Sequence, residues 1–372
     1  MKKFFYLAVA ACAALAACSK NEVTPVDVDQ QITFQAVVNK ASTKGMIDGT
    51  YYTTGAPSFG TGAFYNTGSN GFGPSSPAYI PMSEVKYNDT KKAWTTDTPY
   101  YWPKNGTLTF FSFSPWSITT GTNPTSVTIT AANGVKIEGY DVDARQTDDL
   151  MVADVITGSS NNTTYNPNDG GTYSQQGVAT VFRHKLAQIV DVKFKSHDNY
   201  KHDPIKAGDK QFFINYVKVN SYKQKGTYTS TNSVSSTSLG SWSDIDGAKS
   251  YTFFEEGTPC DKEFTSTATS ANSITNGYLL LLPQSFLASD ETEFEIKYTI
   301  RSFWGTGASD YSDDVVTVHI PFYQALATAL TANTISMNKK YTFTFTVGLD
   351  QIYWAPSVED WGTDNISYTP VI

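Results

Sequence analysis

Four histidines, three cysteines and a run of close-set aspartates are the residues of this 372-residue chain whose types could do chemistry. The histidines are His184, His197, His202 and His319. "SHDNYKHDP" sets His197 near His202 with Asp198 and Asp203 beside them, a pattern open to zinc or copper. Zinc asks for further defined ligands that the stretch does not supply, so a solvated polar loop is the competing reading. "GYDVDARQTDD" offers Asp141, Asp143, Asp148 and Asp149 to calcium. A calcium loop wants an oxygen ligand at its fifth position and glycine at its sixth. Arg145 and Gln146 stand there instead, so a charged loop is expected. His319, in "VVTVHIP", alternates against Val316, Val318 and Ile320 and is expected as an exposed strand residue. No nucleophile elbow, phosphate loop, dinucleotide fingerprint or H-E-x-x-H motif occurs. Glycosidase carboxylate pairs are set by a fold rather than by spacing, and nothing here nominates one. No catalytic residue, metal or cofactor is expected, and the chain is not read as an enzyme.

The cysteines point to a compartment instead. Lys2 and Lys3 form a charged start, and Phe4 to Ala14 form an apolar run too short to span a bilayer. "LAAC", Leu15 to Cys18, resembles a bacterial lipobox. Cleavage before Cys18 would leave a thiol for a diacylglycerol, whose chains anchor at about 0.8 kcal/mol per buried methylene. A plain secretory signal cut after Ala17 is the alternative. With Cys12 removed and Cys18 acylated, Cys260 has no disulfide partner and reads as a loop or partly buried thiol. The expected organisation begins with a lipoprotein signal peptide, 1–17, and a polar tether, 18–30.

Those groups have to be positioned by a scaffold, and the scaffold reads as β. Hydrophobic residues make up 40% of the chain and charged ones 17%, a globular balance. The net charge of -8, with arginine only at Arg145, Arg183 and Arg301, excludes a nucleic-acid partner. "QITFQAVV" alternates Ile32, Phe34, Ala36 and Val38; "EFEIKYTIR" alternates Phe294, Ile296, Tyr298 and Ile300; "YTFTFTV" sets Tyr341, Phe343, Phe345 and Val347 against threonines. Period-two runs of this kind are half-buried antiparallel strands. Further strands are expected at 108–113, 126–130, 178–182, 188–194, 212–219, 251–255 and 278–282. Turn-rich linkers, "GAPSFGTG" and "NTGSNGFGPSSP" among them, separate the strands. Only "FYQALATALTA", Phe322 to Ala332, looks helical. The length asks for two domains, and the polar stretch before Val181 places their boundary: 31–180 and 181–372.

"PYYWPKNGTLTFFSFSPWS", Pro99 to Ser117, concentrates aromatic residues. A ligand platform needs aromatics outward on adjacent strands. Here Leu108 and Phe110 fall on one strand face, Phe111 and Phe113 on the other. A strand apolar on both faces belongs inside a sandwich.

Several landmarks recur in one order: "ITFQAVVNKASTKG" after the lipobox, "KAWTTDTPYYWPKNGTLTFFSFSPW", "TDDLMVADV", "VFRHKLAQIVDVKF", "LLLLPQ" and a closing "PSVEDW". In that order the chain resembles the fimbrillin family, the FimA/Mfa-like lipoprotein pilins of Bacteroidetes. The resemblance implies two tandem transthyretin-like β-sandwich domains on a surface lipoprotein of the cell outer membrane. It also implies fimbrial assembly by strand exchange with other subunits and a role in adhesion. In polymerising members a protease removes the first strand, and a strand of another subunit fills the groove. Carried over, Ile32, Phe34, Ala36 and Val38 line the removable strand. Lys40 and Lys44 are the candidate processing residues, since no arginine precedes Arg145. Ile366 and Tyr368 are a candidate donor strand. The family's processing protease is arginine-specific, so a stalk, tip or anchor role stays open here. The alternative from a different class is a glycan-binding surface lipoprotein that does not polymerise, recognising host or bacterial glycans.

Overall fold

A computed structural model of the chain describes residues 31–38, 57–67, 72–91, 93–103, 105–120, 124–158, 177–231, 240–265, 272–273, 277–327, 333–349 and 352–360. The fold is all-β, as the alternation requires. The N-terminal half runs β1 (Phe34–Val38), β2 (Phe59–Asn66), β3 (Ala78–Asn88), β4 (Ala93–Thr96), β5 (Thr107–Ser114), β6 (Ser126–Thr130), β7 (Gly134–Asp141), β8 (Met151–Ala153), β9 (Ile156–Gly158) and β10 (Val178–His184). The rest runs β11 (Ala187–Ser196), β12 (Lys210–Thr229), β13 (Ser241–Glu255), β14 (Glu263–Phe264), β15 (Asn272–Ser273), β16 (Leu279–Leu281), β17 (Gln284–Ser285), β18 (Glu293–Phe303), β19 (Tyr311–Pro321), helix α1 (Phe322–Ala327), β20 (Thr334–Ile335), β21 (Lys339–Val347) and β22 (Ile352–Asp360).

The first sheet follows the order β2-β3-β4-β1-β10-β8-β5-β9, and β5 also pairs with β2. That second pairing curls the sheet back on itself, a closed arrangement that removes open edges. Its interior holds Ile32, Phe34, Phe59, Trp94, Leu108, Phe110 and Phe182, all buried. The other face of β5 sends Phe111 and Phe113 into a second cluster with Ile118, Val135, Ile137 and Tyr140. Leu186, Tyr228, Leu280 and Leu282, from later in the chain, join that same cluster. The strand Thr107–Ser114 within this aromatic stretch is therefore core on both faces, as its alternation demands.

Beyond the first sheet, β11 pairs parallel with β21, which pairs antiparallel with β22. Opposite them lies the sheet β19-β18-β12-β7-β6, with β13 and β14 also on β12. Phe294 is central to the core between them. It stacks on Phe322 at 4.5 Å and meets Phe343 and Phe345 at 4.8 and 5.3 Å.

One expectation about elements changes. "GAPSFGTG" was expected as a linker, but Phe59–Asn66 is an interior strand paired with both β3 and β5. Its glycines serve close approach: a Cβ on Gly60 would run into the ring of Phe113, and one on Gly62 would press on Ile129. Of the helical stretch Phe322 to Ala332, Phe322–Ala327 is helix; residues 328–332 lie outside the described residues.

Candidate functional site

The arrangement around β1 stands out because this strand is inserted between strands far from it in sequence. Along one edge β1 runs parallel to β10, with Phe34 beside Val178 and Val38 beside Phe182. Along the other it meets β4 antiparallel at Phe34 and Trp94. The Ile32 amide donates to the Tyr100 carbonyl at 2.8 Å, and the Val178 amide donates to the Thr33 carbonyl at 2.7 Å. Gly177 has φ +88, and a Cβ there would press on Thr33 at 2.9 Å, so glycine lets the approach to β10 lie against the start of β1.

The side chains follow the strand period. Ile32, Phe34 and Ala36 point inward and are buried, while Gln35 is exposed. Phe34 is the aromatic anchor, edge to face with Phe59 and with Phe110 at 5.9 Å each. Phe59 in turn contacts Trp94 at 5.6 Å and Phe182 at 5.3 Å. Trp102, from the aromatic stretch, closes on Phe110 at 5.7 Å. Burying a phenylalanine or isoleucine side chain stabilises by roughly 1.5–3 kcal/mol each. Vacating β1 would expose two lines of backbone hydrogen-bonding groups and an apolar slot at once. What the site can do chemically is non-covalent: it grips an extended strand by backbone hydrogen bonds and alternate side chains.

β10 carries this slot into a buried polar junction. Arg183 donates to both oxygens of Asp154, at 2.7 and 2.8 Å. His184 Nδ1 lies 2.8 Å from Asp149 Oδ2, both residues at 2% exposure or less. Lys185 and Leu186 then join β10 to β11, and both are buried. Lys185 Nζ sits 5.8 Å from the Tyr228 ring centroid. Burial pulls its ammonium down to about 7, Asp154 acting against that shift and Arg183 with it.

The other candidates fall apart as sites. His197 bonds Asp198 at 2.9 Å and His202 bonds Asp209 at 2.6 Å, each taking its own carboxylate. Among the described residues no group of three or more histidine, cysteine or acidic side chains could hold a metal. The aspartate run likewise disperses: Asp141 caps the amides of Asp143 and Ala144, Asp143 pairs with Lys249, and Asp148 with Arg145. Asp149 was expected on a charged loop; it is buried against His184 instead. Sequence reasoning also missed Phe59, whose glycine neighbours disguise a strand. His319 is exposed on β19 and bonds Glu293 at 2.7 Å. Cys260 is half-buried, without a disulfide, its thiol pushed up chiefly by burial. Cys18, Lys40, Lys44, Ile366 and Tyr368 lie outside the described residues, as does the side chain of Val38.

Comparison with known proteins gives the arrangement a context. The family model described as fimbrillin-like matches residues 31–361. A crystal structure of a fimbrial protein from Bacteroides vulgatus ATCC 8482 is 16% identical, covering 89% of this chain and 99% of its own, with TM-score 0.62. The tip fimbrial protein Mfa3 from Porphyromonas gingivalis, solved with a C-terminal truncation, is 11% identical, covering 82% of this chain and 94% of its own, with TM-score 0.39. No curated protein matches.

Proposed function

The chain belongs to the fimbrillin-like family, and from that premise we propose that it is a component of cell-surface fimbriae that assembles by exchanging β1. Cleavage in residues 39–56, at Lys40 or Lys44, releases the strand bearing Ile32, Phe34, Ala36 and Val38. A strand from a neighbouring subunit then fills the slot between β4 and β10, with Ile366 and Tyr368 of the C-terminal tail as the donor candidates. Cys18 carries the acyl chains that hold the protein at the outer membrane before assembly. The role is structural and adhesive rather than enzymatic.

The observation that carries this reading is the seating of β1. It is paired on both edges, yet its partners β4 and β10 belong to distant parts of the chain. A strand placed so can leave without breaking the connection between any two of its neighbours. Replacement by a second strand of like pattern restores both lines of hydrogen bonds.

The N-terminus of the protein on cells tests it directly. A first residue beyond Lys40 on fimbriae, together with acylated Cys18 on the uncut form, is expected. A fimbrial N-terminus at Cys18 alone would remove the proposed exchange.

A further inference from the structure

β12 changes partners along its length. From Lys210 to Asn220 it pairs with β18, over the core around Phe294. From Lys225 to Thr229 it pairs with β7, whose Val135, Ile137 and Tyr140 share a cluster with the outer face of β5. The changeover is marked at Ser221, which has φ +55 and whose carbonyl accepts from Thr292 Oγ1 at 2.9 Å. β13 follows β12 through the change, from Glu255 opposite Tyr216 to Ser241 opposite Thr229. The outer part of this hairpin therefore leaves the Phe294 core and lies on strands that precede Val181. None of residues 226–245 belongs to the cluster around Phe294.

Several kinds of contact hold it there. Tyr228 is buried in the cluster that contains Phe111 and Phe113. Trp242 packs on Tyr228 at 5.5 Å and on Tyr140 at 6.0 Å, and its indole N–H donates to the Lys185 carbonyl at 2.8 Å. The Val135 amide donates to the Ser230 hydroxyl and the Ser230 amide to the Val135 carbonyl, each at 2.8 Å. The Val142 amide donates to the Gln224 carbonyl at 3.0 Å. Lys225 pairs with Asp141 and Lys249 with Asp143, and such solvent-facing pairs add little. Apolar burial and backbone bonding are the main hold.

We propose that the hairpin beyond Gln224 is a strap, carried by the later part of the chain, that clamps the first sheet and firms the wall against which β1 lies. β5 transmits the clamp, because successive residues of a strand point to opposite faces. Phe111 enters the cluster that holds Tyr228, while Phe110 meets Phe34 of β1 at 5.9 Å. The strap follows from the pairing of β12 and stands whether or not β1 is exchanged.

Amide exchange of the full chain, with β1 in place, tests this, and its failure leaves the strand-exchange reading intact. Segments 108–113 and 178–182, around β1, are compared with 294–300 and 341–347, around Phe294. In a shortened variant, Asn-Gly replaces residues 226–245. Lys225 and Asp246 already face each other across the hairpin, and Asn-Gly is a turn that closes such a pair. The two segments around β1 should then exchange about tenfold faster or more, since a buried tyrosine and a half-buried tryptophan are lost from their support. The two segments around Phe294 should keep their rates. Trp242→Ala should act in the same sense to a smaller extent, and it decides the matter if the shortened chain does not fold. Rates that rise alike in all four segments would overturn the strap, making the hairpin an ordinary part of one core. Unchanged rates around β1 would overturn it as well.

Discussion

Phe34 and Phe110 meet edge to face, their ring centroids 5.9 Å apart and their planes at 87°. One ring belongs to β1 and the other to the strand that closes the first sheet. The contact joins the element proposed to leave with the framework that remains, and it sets how firmly the slot is filled.

Truncating that ring gives the first prediction. Phe34→Ala should cost about 3–5 kcal/mol, the range for removing a buried phenyl ring. Phe34→Leu should cost clearly less, since it keeps most of the apolar volume. Chemical denaturation of both variants checks the order. Amide exchange should quicken first in β10 from Val178 to Phe182, the edge that β1 covers.

The buried pair of His184 and Asp149 gives the second. Removing one member of a buried polar pair costs about 1–3 kcal/mol, the desolvation of the group that stays behind. Asp149→Leu and His184→Leu should each destabilise on that scale. The double variant should lose much less than the sum, and a double-mutant cycle by urea unfolding reads the difference.

Lys185 gives a pH dependence of definite sign. Burial holds its folded value at about 7, against about 10.4 in an unfolded chain. Between those values the unfolded chain binds the additional proton, so this group makes stability rise as pH climbs from about 7 towards 10. Below 7 the cost of the buried charge is present in full. Lys185→Met should be more stable than wild type at neutral pH, and the advantage should shrink as the solution is made alkaline. Urea unfolding of both proteins across that window measures it.

Much of this was legible in the sequence where local pattern decides structure. Ser126–Thr130 is a strand with the expected bounds. Phe343 and Phe345 are buried as their alternation with threonine requires, and the inward side of Ile32, Phe34 and Ala36 follows from the same period. What local pattern could not carry is pairing over distance. β1 lies parallel to β10, and no spacing announces such a partner. Asp149 reads as one more acid in a charged run until His184 is placed beside it. Phe59–Asn66 reads as a turn because its glycines answer to Phe113 and Ile129 rather than to their own neighbours.

The most direct measurement compares the assembly state of the chain before and after β1 is cut away in residues 39–56. The cut protein, examined by electron microscopy and size-exclusion chromatography, should form fibres, while the uncut protein should not. An added peptide of the sequence from Gln31 to Val38 should suppress those fibres by refilling the slot. A cut protein that has lost β1, keeps its β-sheet signal and yields no fibres would contradict the account.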